Sequence, residues 1–294
     1  MKCPICQHND IETIYEDYIR DGAAGNLTNN KYIMYQCKEC LVIWHDIKEN
    51  NIDKFYESSE YRMRMENNAD FEFYSEHHDT EVLEKLEYTG TGLFRNRVVA
   101  DIGCGGGSFL DFLSGVASEI IAIEPSEIYQ KGLSKKGYKV YSYAKLALNN
   151  YKNKIDIVTS FDVIEHVENP LLFMQEIYGL LGDGGCAIIG TPSDAPIMRK
   201  LLGKVYEKFL FNYQHPWVFS QKNFELICYK AGFKHVKIEQ KQRYGISNFI
   251  TWLNEKQPKG HVEFDFISET MDNTWKRELE SMCVADYLVV YLQK

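Results

Sequence analysis

A glycine-rich turn at residues 101–107, which reads DIGCGGG, constrains the fold of this chain more than any other segment. The apolar residues 98–100 before it are typical of a buried strand, and residues 109–113 after it are typical of an apolar helix. Glycines at such a strand–turn–helix connection let backbone N–H groups approach a nucleotide-like ligand closely. The turn therefore predicts a ligand site at the carboxyl end of a strand in an α/β protein.

Short β-branched runs alternate with helical stretches, such as residues 170–181 and 221–231, through this part of the chain. Strands separated by helices indicate a parallel sheet, and right-handed crossovers place the helices on both of its faces. We predict an α/β fold with a doubly wound, mostly parallel seven-stranded sheet. Its strands are expected at 98–100, 120–123, 138–141, 156–159, 185–189, 235–239 and 287–292.

The sequence pattern divides the chain into three parts. Residues 1–47 carry two cysteine pairs around a polar, glycine-bearing loop, and we expect them to form a small independent domain. Residues 48–90 are polar and rich in glutamate, with helical apolar spacing that predicts a helical connector. Residues 91–294 form the main domain. It contains two insertions that a simple strand–helix repeat does not require, at about 194–214 and 241–280.

The charge of the chain disfavours nucleic acid as a partner. Its 33 basic and 42 acidic side chains give a formal net charge of −9, which provides no general attraction to nucleic acid or anionic lipid. No apolar run approaches the roughly 20 residues of a membrane-spanning helix, and the N-terminus does not resemble a secretion signal. We therefore expect a cytoplasmic protein without membrane contact. In that compartment the dispersed cysteines stay reduced.

Two CxxC pairs near the N-terminus have the spacing of a metal site. Cys3 with Cys6, and Cys37 with Cys40, supply the four thiolates of a tetrahedral zinc site. Four cysteines complete the coordination of the metal, so we predict a structural Zn²⁺ ion in a zinc-ribbon domain. Redox-active cysteine pairs are the alternative.

Residues around the glycine turn discriminate between possible cofactors. The turn alone fits NAD, FAD or S-adenosylmethionine. Gly103, Gly105 and Gly107 read GxGxG, and Ser108 stands where the dinucleotide fingerprint prefers Gly or Ala. Glu124 ends the next strand, where a carboxylate can accept hydrogen bonds from both hydroxyls of a ribose. An NAD dehydrogenase remains an alternative at this stage.

Several motifs in this region occur together and in a characteristic order. Residues 98–110, VVADIGCGGGSFL, resemble the first motif of the class I S-adenosylmethionine-dependent methyltransferases. Glu124-Pro125-Ser126 resembles the acidic end of their second strand, and residues 160–167, SFDVIEHV, resemble the segment after their fourth strand. Gly184-Gly185 and residues 190–192 flank the fifth strand as in that family. The resemblance covers about residues 80–240.

The resemblance implies a set of cofactor contacts. The glycine turn cradles S-adenosylmethionine and Glu124 holds its ribose. Tyr143 flanks the adenine and Phe161 lies near the methionine part. Asp101 either meets the cofactor through water or braces the loop as a capping carboxylate. The residues expected at the cofactor are Asp101, Gly103, Cys104, Gly105, Gly107, Glu124, Pro125, Tyr143 and Phe161.

A histidine follows the fourth strand at the edge of the sheet where ligands bind. Methyl transfer to a hydroxyl needs a group that removes the proton, and histidine has a suitable pKa. The Glu165-His166 pair resembles the corresponding pair in deoxysugar methyltransferases, which predicts His166 as base and Glu165 as its partner. Alternatively, His166 caps the next helix.

Three residues outside these motifs are weaker candidates for substrate contact. Tyr56 and Tyr61 resemble tyrosines that cover the cofactor in relatives with N-terminal ribbons, although packing under the connector would also explain them. His215 stands in a loop before a helix, where it contacts substrate or braces the loop.

These features together predict an enzyme with a small-molecule acceptor. We expect O-methylation of a nucleotide-linked sugar or a surface-glycan precursor. Zinc ribbons precede methyltransferase domains in sugar methyltransferases and in ribosomal RNA methyltransferases. An RNA-base methyltransferase that uses the ribbon to contact RNA is therefore one alternative. A non-catalytic module that retains the cofactor fold is another.

Overall fold

The computed structural model of the chain describes residues 1–45, 52–58, 60–66, 68 and 70–294. Its strands are β1 Ile11–Asp17, β2 Tyr32–Cys37, β3 Ile43–His45, β4 Val98–Ile102, β5 Glu119–Ile123, β6 Lys139–Tyr141, β7 Ile155–Phe161, β8 Leu181–Pro192, β9 Trp217–Val218, β10 His235–Lys241 and β11 Tyr287–Gln293. Its α-helices are α1 Ile52–Glu57, α2 Glu60–Glu66, α3 Phe71–His78, α4 Glu81–Thr89, α5 Ser108–Leu113, α6 Glu127–Lys135, α7 Ala144–Tyr151, α8 Pro170–Leu180, α9 Pro196–Leu202, α10 Lys204–Leu210, α11 Gln221–Ala231, α12 Ile246–Glu255 and α13 Glu269–Ser281.

Seven of these strands form one sheet with the order β10-β11-β8-β7-β4-β5-β6. β8, β7, β4, β5 and β6 run parallel to one another, so the predicted doubly wound, mostly parallel sheet is confirmed. The strand order reverses at β4, because β5 pairs on one side of it and β7 on the other. Ligands of open α/β sheets bind outside the carboxyl ends of the strands at such a switch point.

The central strands form because their side chains are apolar on both faces. Residues 99–102 of β4 and 120–123 of β5 are all buried, as expected for parallel strands covered by helices on both sides. The helix after β7 has a defined start. The Asn169 side chain accepts a hydrogen bond from the Leu172 N–H at 3.0 Å, and Pro170 occupies the first turn of α8. Such local signals fix where the crossover helices begin.

A second, antiparallel sheet has the order β1-β2-β3-β9. β9 comes from far along the chain, and Ile43 and Trp44 of β3 pair with Val218 and Trp217. The chain accordingly divides into two compact units. The ribbon unit contains Met1–Lys48, Thr191–Leu226 and Ile238–Val289, and the sheet unit contains Glu49–Gly190, Ile227–Lys237 and Val290–Lys294.

The ribbon unit thus includes later segments of the chain as well as the residues before the expected boundary at 47. Tyr15, Met34 and Ile43 of the ribbon share one apolar core with Phe211 and Val218 from the later segment. A few short strands bury too little apolar surface to be stable alone, and the first insertion supplies the missing core.

The helical connector expected at 48–90 corresponds to α1 to α4 among the residues that the structure describes, and residues 46–51 lie outside them. The first insertion contains two helices, α9 and α10. Gly203 separates them in a left-handed conformation, with φ 54° and ψ −136°. No helix in the described residues has the length and apolar character needed to span a membrane.

Replacing Phe211 with alanine tests whether the ribbon and the insertion fold together. Phe211 is fully buried and its ring contacts Tyr15 edge-on at 5.0 Å. We expect Phe211→Ala to lower the free energy of unfolding by about 3–5 kcal/mol, measured by chemical denaturation. Amide hydrogen exchange in β2 should accelerate in parallel. Leu201→Ala, at an exposed position on α9, is the control. Unchanged exchange in β2 would show that the ribbon folds separately.

Candidate functional site

Three strand ends at the switch point open onto one cavity of about 500 Å³. Gly103 follows β4, Glu124 follows β5 and Asp162 follows β7, and all three line the cavity. Every residue of its wall belongs to the sheet unit. The carboxyl edge of the parallel sheet thus forms the floor of the site, where the topology predicts it.

The glycine turn needs glycine for two reasons. Gly103, Gly105 and Gly107 have φ of 74°, 54° and 85°, a left-handed conformation that disfavours side chains. A Cβ atom at Gly103 would also overlap the Val163 side chain. The turn is held by the Gly103 N–H, which donates to Ile123 O at 2.7 Å. The backbone conformation and the close packing therefore both favour glycine in this turn.

Tyr74 of α3 covers the outer side of the glycine turn. A Cβ atom added at Gly105 or Gly106 would overlap its ring, so the turn and α3 pack without a gap. The Arg62 guanidinium lies over the Tyr74 ring at 4.8 Å, and burial raises the pKa of the Tyr74 phenol well above its usual value. Both residues line the cavity. Neither residue was identified from the sequence, because their contact joins separate helices.

Glu124 is the carboxylate of the cavity floor and is only 7% exposed. One of its oxygens accepts a hydrogen bond from the Gly105 N–H at 2.8 Å, and the other accepts from the Ser126 N–H at 2.9 Å. Burial raises the pKa of Glu124, while the Ser126 N–H, the Arg62 charge and the Gly105 N–H act in the opposite direction. Each oxygen keeps a second lone pair, so the group fits the predicted pair of ribose hydroxyls.

Asp101 lies behind the glycine turn and is buried. The Thr159 hydroxyl donates to its carboxylate at 2.7 Å. Burial raises the pKa of Asp101 to about 6, although the Lys85 charge and the Thr159 hydrogen bond oppose this shift. This hydrogen bond joins β4 to β7, and both roles expected for Asp101 stay predictions. Cys104 is likewise buried, and burial raises the pKa of its thiol well above the usual value.

Tyr56 and Tyr61, two of the weaker candidates for substrate contact, lie close to His166, the predicted base. The Tyr56 hydroxyl and His166 Nδ1 are joined by a hydrogen bond of 2.6 Å, and the Tyr61 ring lies 6.0 Å from the imidazole. Glu165 is 2% exposed, and its Oε1 is 4.0 Å from His166 Nε2. His166 ends a 3₁₀ turn directly after β7, and the turn explains how it reaches the cavity wall.

Of the remaining residues predicted from the sequence, some line the cavity and His215 does not. Pro125, Tyr143 and Phe161 line the cavity, and the Tyr143 hydroxyl donates to Glu57 at 3.0 Å. His215 belongs to the ribbon unit, where its N–H donates to Asn212 O. The contacts predicted for cofactor and substrate remain predictions. The candidates that contribute to the cavity wall are Tyr56, Tyr61, Gly103, Glu124, Pro125, Tyr143, Phe161 and His166.

Several charged residues of the cavity wall were not identified from the sequence, and three of them lie together: His78, Glu81 and Lys85. His78 Nδ1 lies 2.9 Å from Glu81 Oε1, and Lys85 Nζ lies 3.8 Å from the other carboxylate oxygen. Glu81 and Lys85 stand four positions apart on one face of α4, so their spacing was a signal that could have identified this pair. Lys85 also lies 5.8 Å from the centre of the Phe161 ring.

The four N-terminal cysteines converge within the ribbon unit. Their Sγ atoms all lie within 4.8 Å of one another; Cys3 and Cys40 are 3.6 Å apart, and Cys6 and Cys37 are 3.4 Å apart. Sulfur atoms around a tetrahedral zinc ion are separated by about 3.8 Å, since Zn–S bonds are about 2.3 Å long. The arrangement therefore fits a closed, structural zinc site.

A comparison with protein families matches residues 74–238 to a methyltransferase domain. The matched region includes the glycine turn, Glu124 and the Glu165-His166 pair. It also reaches Tyr74 on α3, which covers the turn.

Individual proteins agree with this match. A ubiquinone biosynthesis O-methyltransferase from Actinobacillus pleuropneumoniae is 26% identical over 121 residues, which are 37% of this chain and 51% of that protein. The chain thus spans about half the length of this curated relative. The crystal structure of a SAM-dependent methyltransferase from Archaeoglobus fulgidus has a TM-score of 0.52 and 19% identity, and the match covers 76% of this chain and 99% of that one. Haemonchus contortus phosphoethanolamine N-methyltransferase 2, solved with S-adenosyl-L-methionine, has a TM-score of 0.51 and 15% identity over 92% of this chain and 71% of that one. The two structures establish the similarity of fold.

Replacing one cysteine of the cluster tests the zinc site. Cys37→Ser should lower the zinc content, measured by atomic emission, from about one ion per chain to a small fraction. The thermal stability of the ribbon unit should fall as well, because structural zinc contributes folding energy. Cys283→Ser, at an exposed cysteine outside the cluster, should retain the metal. A native chain purified without zinc, or a Cys37→Ser chain that keeps it, would refute the assignment.

Replacing Glu124 tests the ribose contact. Glu124→Gln should weaken S-adenosylmethionine binding about 10- to 100-fold in calorimetry, the loss expected when hydrogen bonds to a charged group are removed. The exposed Glu127→Gln on α6 is the matched control and should bind normally. Melting temperatures of both variants show whether the glycine turn stays folded. An unaltered dissociation constant for Glu124→Gln would exclude the ribose role.

Proposed function

Since the chain belongs to the family of class I S-adenosylmethionine-dependent methyltransferase domains, we propose that it methylates a hydroxyl oxygen of a small polar acceptor. We further propose that the acceptor is a nucleotide-linked sugar or a surface-glycan precursor and that His166 is the general base. The observation that carries the proposal is the Tyr56–His166 hydrogen bond on the wall of the cavity beside the glycine turn. A structural zinc ion and a cytoplasmic setting complete the proposal, because four thiolates require reducing conditions.

S-adenosylmethionine supplies a methyl group bound to a sulfonium sulfur, so the protein chiefly has to align donor and acceptor. Glu124 holds the ribose through the free lone pairs of its carboxylate. Arg62 and Lys85 provide positive charge on the same wall, which complements a carboxylate in the methionine part. Tyr74 and Tyr61 cover the cavity and limit the access of water.

His166 accepts the proton of the acceptor hydroxyl at Nε2. In the tautomer with an unprotonated Nε2, Nδ1–H donates to the Tyr56 oxygen, 2.6 Å away. The buried Glu165 carboxylate, 4.0 Å from Nε2, balances the charge that the imidazole gains. Tyr56 therefore orients the imidazole, and Glu165 stabilises its protonated form.

The choice of acceptor draws on the cavity and on the relatives. The ubiquinone biosynthesis enzyme is named as an O-methyltransferase, which supports oxygen as the methylated atom. Charged and hydroxylated side chains such as Ser142, Lys145 and Glu176 share the cavity wall with the aromatic rings. A polar acceptor with hydroxyl groups suits this mixture better than an apolar one.

A methyl-transfer screen tests the proposed function directly. Labelled S-adenosylmethionine is offered with a panel of nucleotide sugars, a catechol and unmodified RNA, and the label is followed into each acceptor. We expect labelling of a nucleotide sugar at oxygen. Labelling of the catechol would support O-methylation and exclude a sugar as the acceptor. Labelling of RNA would instead favour an RNA-base methyltransferase. Transfer to none of them would refute the proposal.

Replacing His166 tests its role as base. His166→Ala should lower kcat about 10²- to 10⁴-fold with the accepted substrate, the range for a general base, while S-adenosylmethionine affinity stays unchanged in calorimetry. The exposed His235→Ala is the matched control and should retain full activity. Tyr56→Phe keeps the ring and removes the hydroxyl, so it should shift the pH profile of kcat with a smaller loss of rate. Full turnover by His166→Ala would exclude the assigned role.

A further inference from the structure

A second cavity, of about 60 Å³, lies within the ribbon unit and is lined by both insertions. Tyr206 and Phe209 come from α10 in the first insertion, whereas Asn248 and Trp252 come from α12 in the second. The seven-stranded sheet does not require either segment. Two separate insertions that converge on one cavity suggest that the cavity has a function of its own.

Aromatic rings form a large part of the wall of this cavity. Tyr206, Phe209 and Trp252 contact one another with ring centres 5.1–5.8 Å apart. Phe249 stacks on Trp275 at 5.1 Å on the same wall. Interlocked rings hold their positions without a ligand, so the wall is preorganised. Aromatic faces of this kind offer apolar contact to the C–H groups of a ligand.

Two polar groups on the wall lack partners within the described part of the chain. Asn248 is 6% exposed; its Nδ2 donates to Gly260 O at 2.6 Å, and its Oδ1 accepts no hydrogen bond. Tyr206 is 7% exposed, and its hydroxyl makes no hydrogen bond. Neither oxygen is among the fully buried polar atoms that lack a partner, so both are open to the cavity that their residues line. The wall thus offers a ligand one hydrogen-bond acceptor, Asn248 Oδ1, and one hydroxyl that can donate or accept, that of Tyr206.

Among the described residues of this wall, the Asp286 carboxylate already has hydrogen-bond partners and a nearby positive charge. Asp286 accepts hydrogen bonds from Gln242 Nε2 and from the Arg243 N–H, both at 3.0 Å, and the Arg243 Nε lies 3.6 Å away. The Gln242 amide is used fully, because its oxygen accepts from the Asp286 N–H and its nitrogen also donates to Tyr244 O. The cavity therefore does not require a charged ligand.

We propose that this cavity binds one edge of a neutral, hydroxylated ring, such as a pyranose. A sugar hydroxyl can donate to Asn248 Oδ1 and accept from the Tyr206 hydroxyl, while the ring C–H groups contact Trp252. The volume is several times the roughly 10–15 Å³ that one water needs and less than a whole sugar needs, so one edge of the ring enters. The choice of a sugar as this ring rests on the proposed function.

Saturation-transfer NMR with the full chain tests the proposal. The probes are methyl pyranosides of gluco, galacto and rhamno configuration, with free uridine diphosphate as a nucleotide arm. We expect at least one pyranoside to bind through one edge, and the nucleotide not to compete with it. Tyr206→Phe and Asn248→Ala should each weaken that binding about five- to tenfold, the effect of one lost hydrogen bond. Asn254→Ala, exposed on the same helix, is the matched control.

Each variant is first checked for an unchanged melting temperature and normal S-adenosylmethionine binding, so that misfolding is recognised. If no pyranoside binds, or if neither substitution weakens its binding, the cavity holds water only and the proposal is wrong. Because the readout is binding, it is independent of methyl transfer. A failed methyl-transfer screen with intact pyranoside binding would refute the proposed function and leave this site in place.

Discussion

The parallel pairing of β4 with β5 on one side and β7 on the other positions the functional site of this chain. The reversal of strand order leaves a crevice at the carboxyl ends of these strands. The turn that leaves β4 must then pass in a left-handed conformation under Val163, and only glycine fits at Gly103. Glu124 reaches the same crevice from β5, and its hydrogen bond from the Gly105 N–H ties the two strand ends together.

The catalytic proposal follows from helices packed against this edge. The 3₁₀ turn after β7 presents His166 to the cavity, and α1 brings Tyr56 within hydrogen-bond distance of it. Tyr74 from α3 closes the other side over the glycine turn. The strand ends thus carry residues that are expected to contact the cofactor, and the helices before β4 cover the cavity.

The ribbon unit illustrates a different use of the chain. The four-cysteine cluster organises three short strands, which bury little surface by themselves. Phe211 and Val218 complete their core from later in the chain. The first insertion, which contains Phe211, also contributes Tyr206 and Phe209 to the aromatic cavity. The N-terminal strands and this cavity are therefore connected through the same insertion.

The sequence alone determined the sheet, its glycine turn and the cluster of four cysteines, because these depend on local rules. Periodicity predicted the strands, left-handed turns need glycine, and CxxC spacing predicts the cysteine cluster. Tertiary structure decided what packs across distant segments. It joined β3 to β9, placed Tyr74 over the turn and Tyr56 against His166, and brought two insertions to one cavity. Such contacts have no sequence periodicity, since they depend on how separate elements fill shared space.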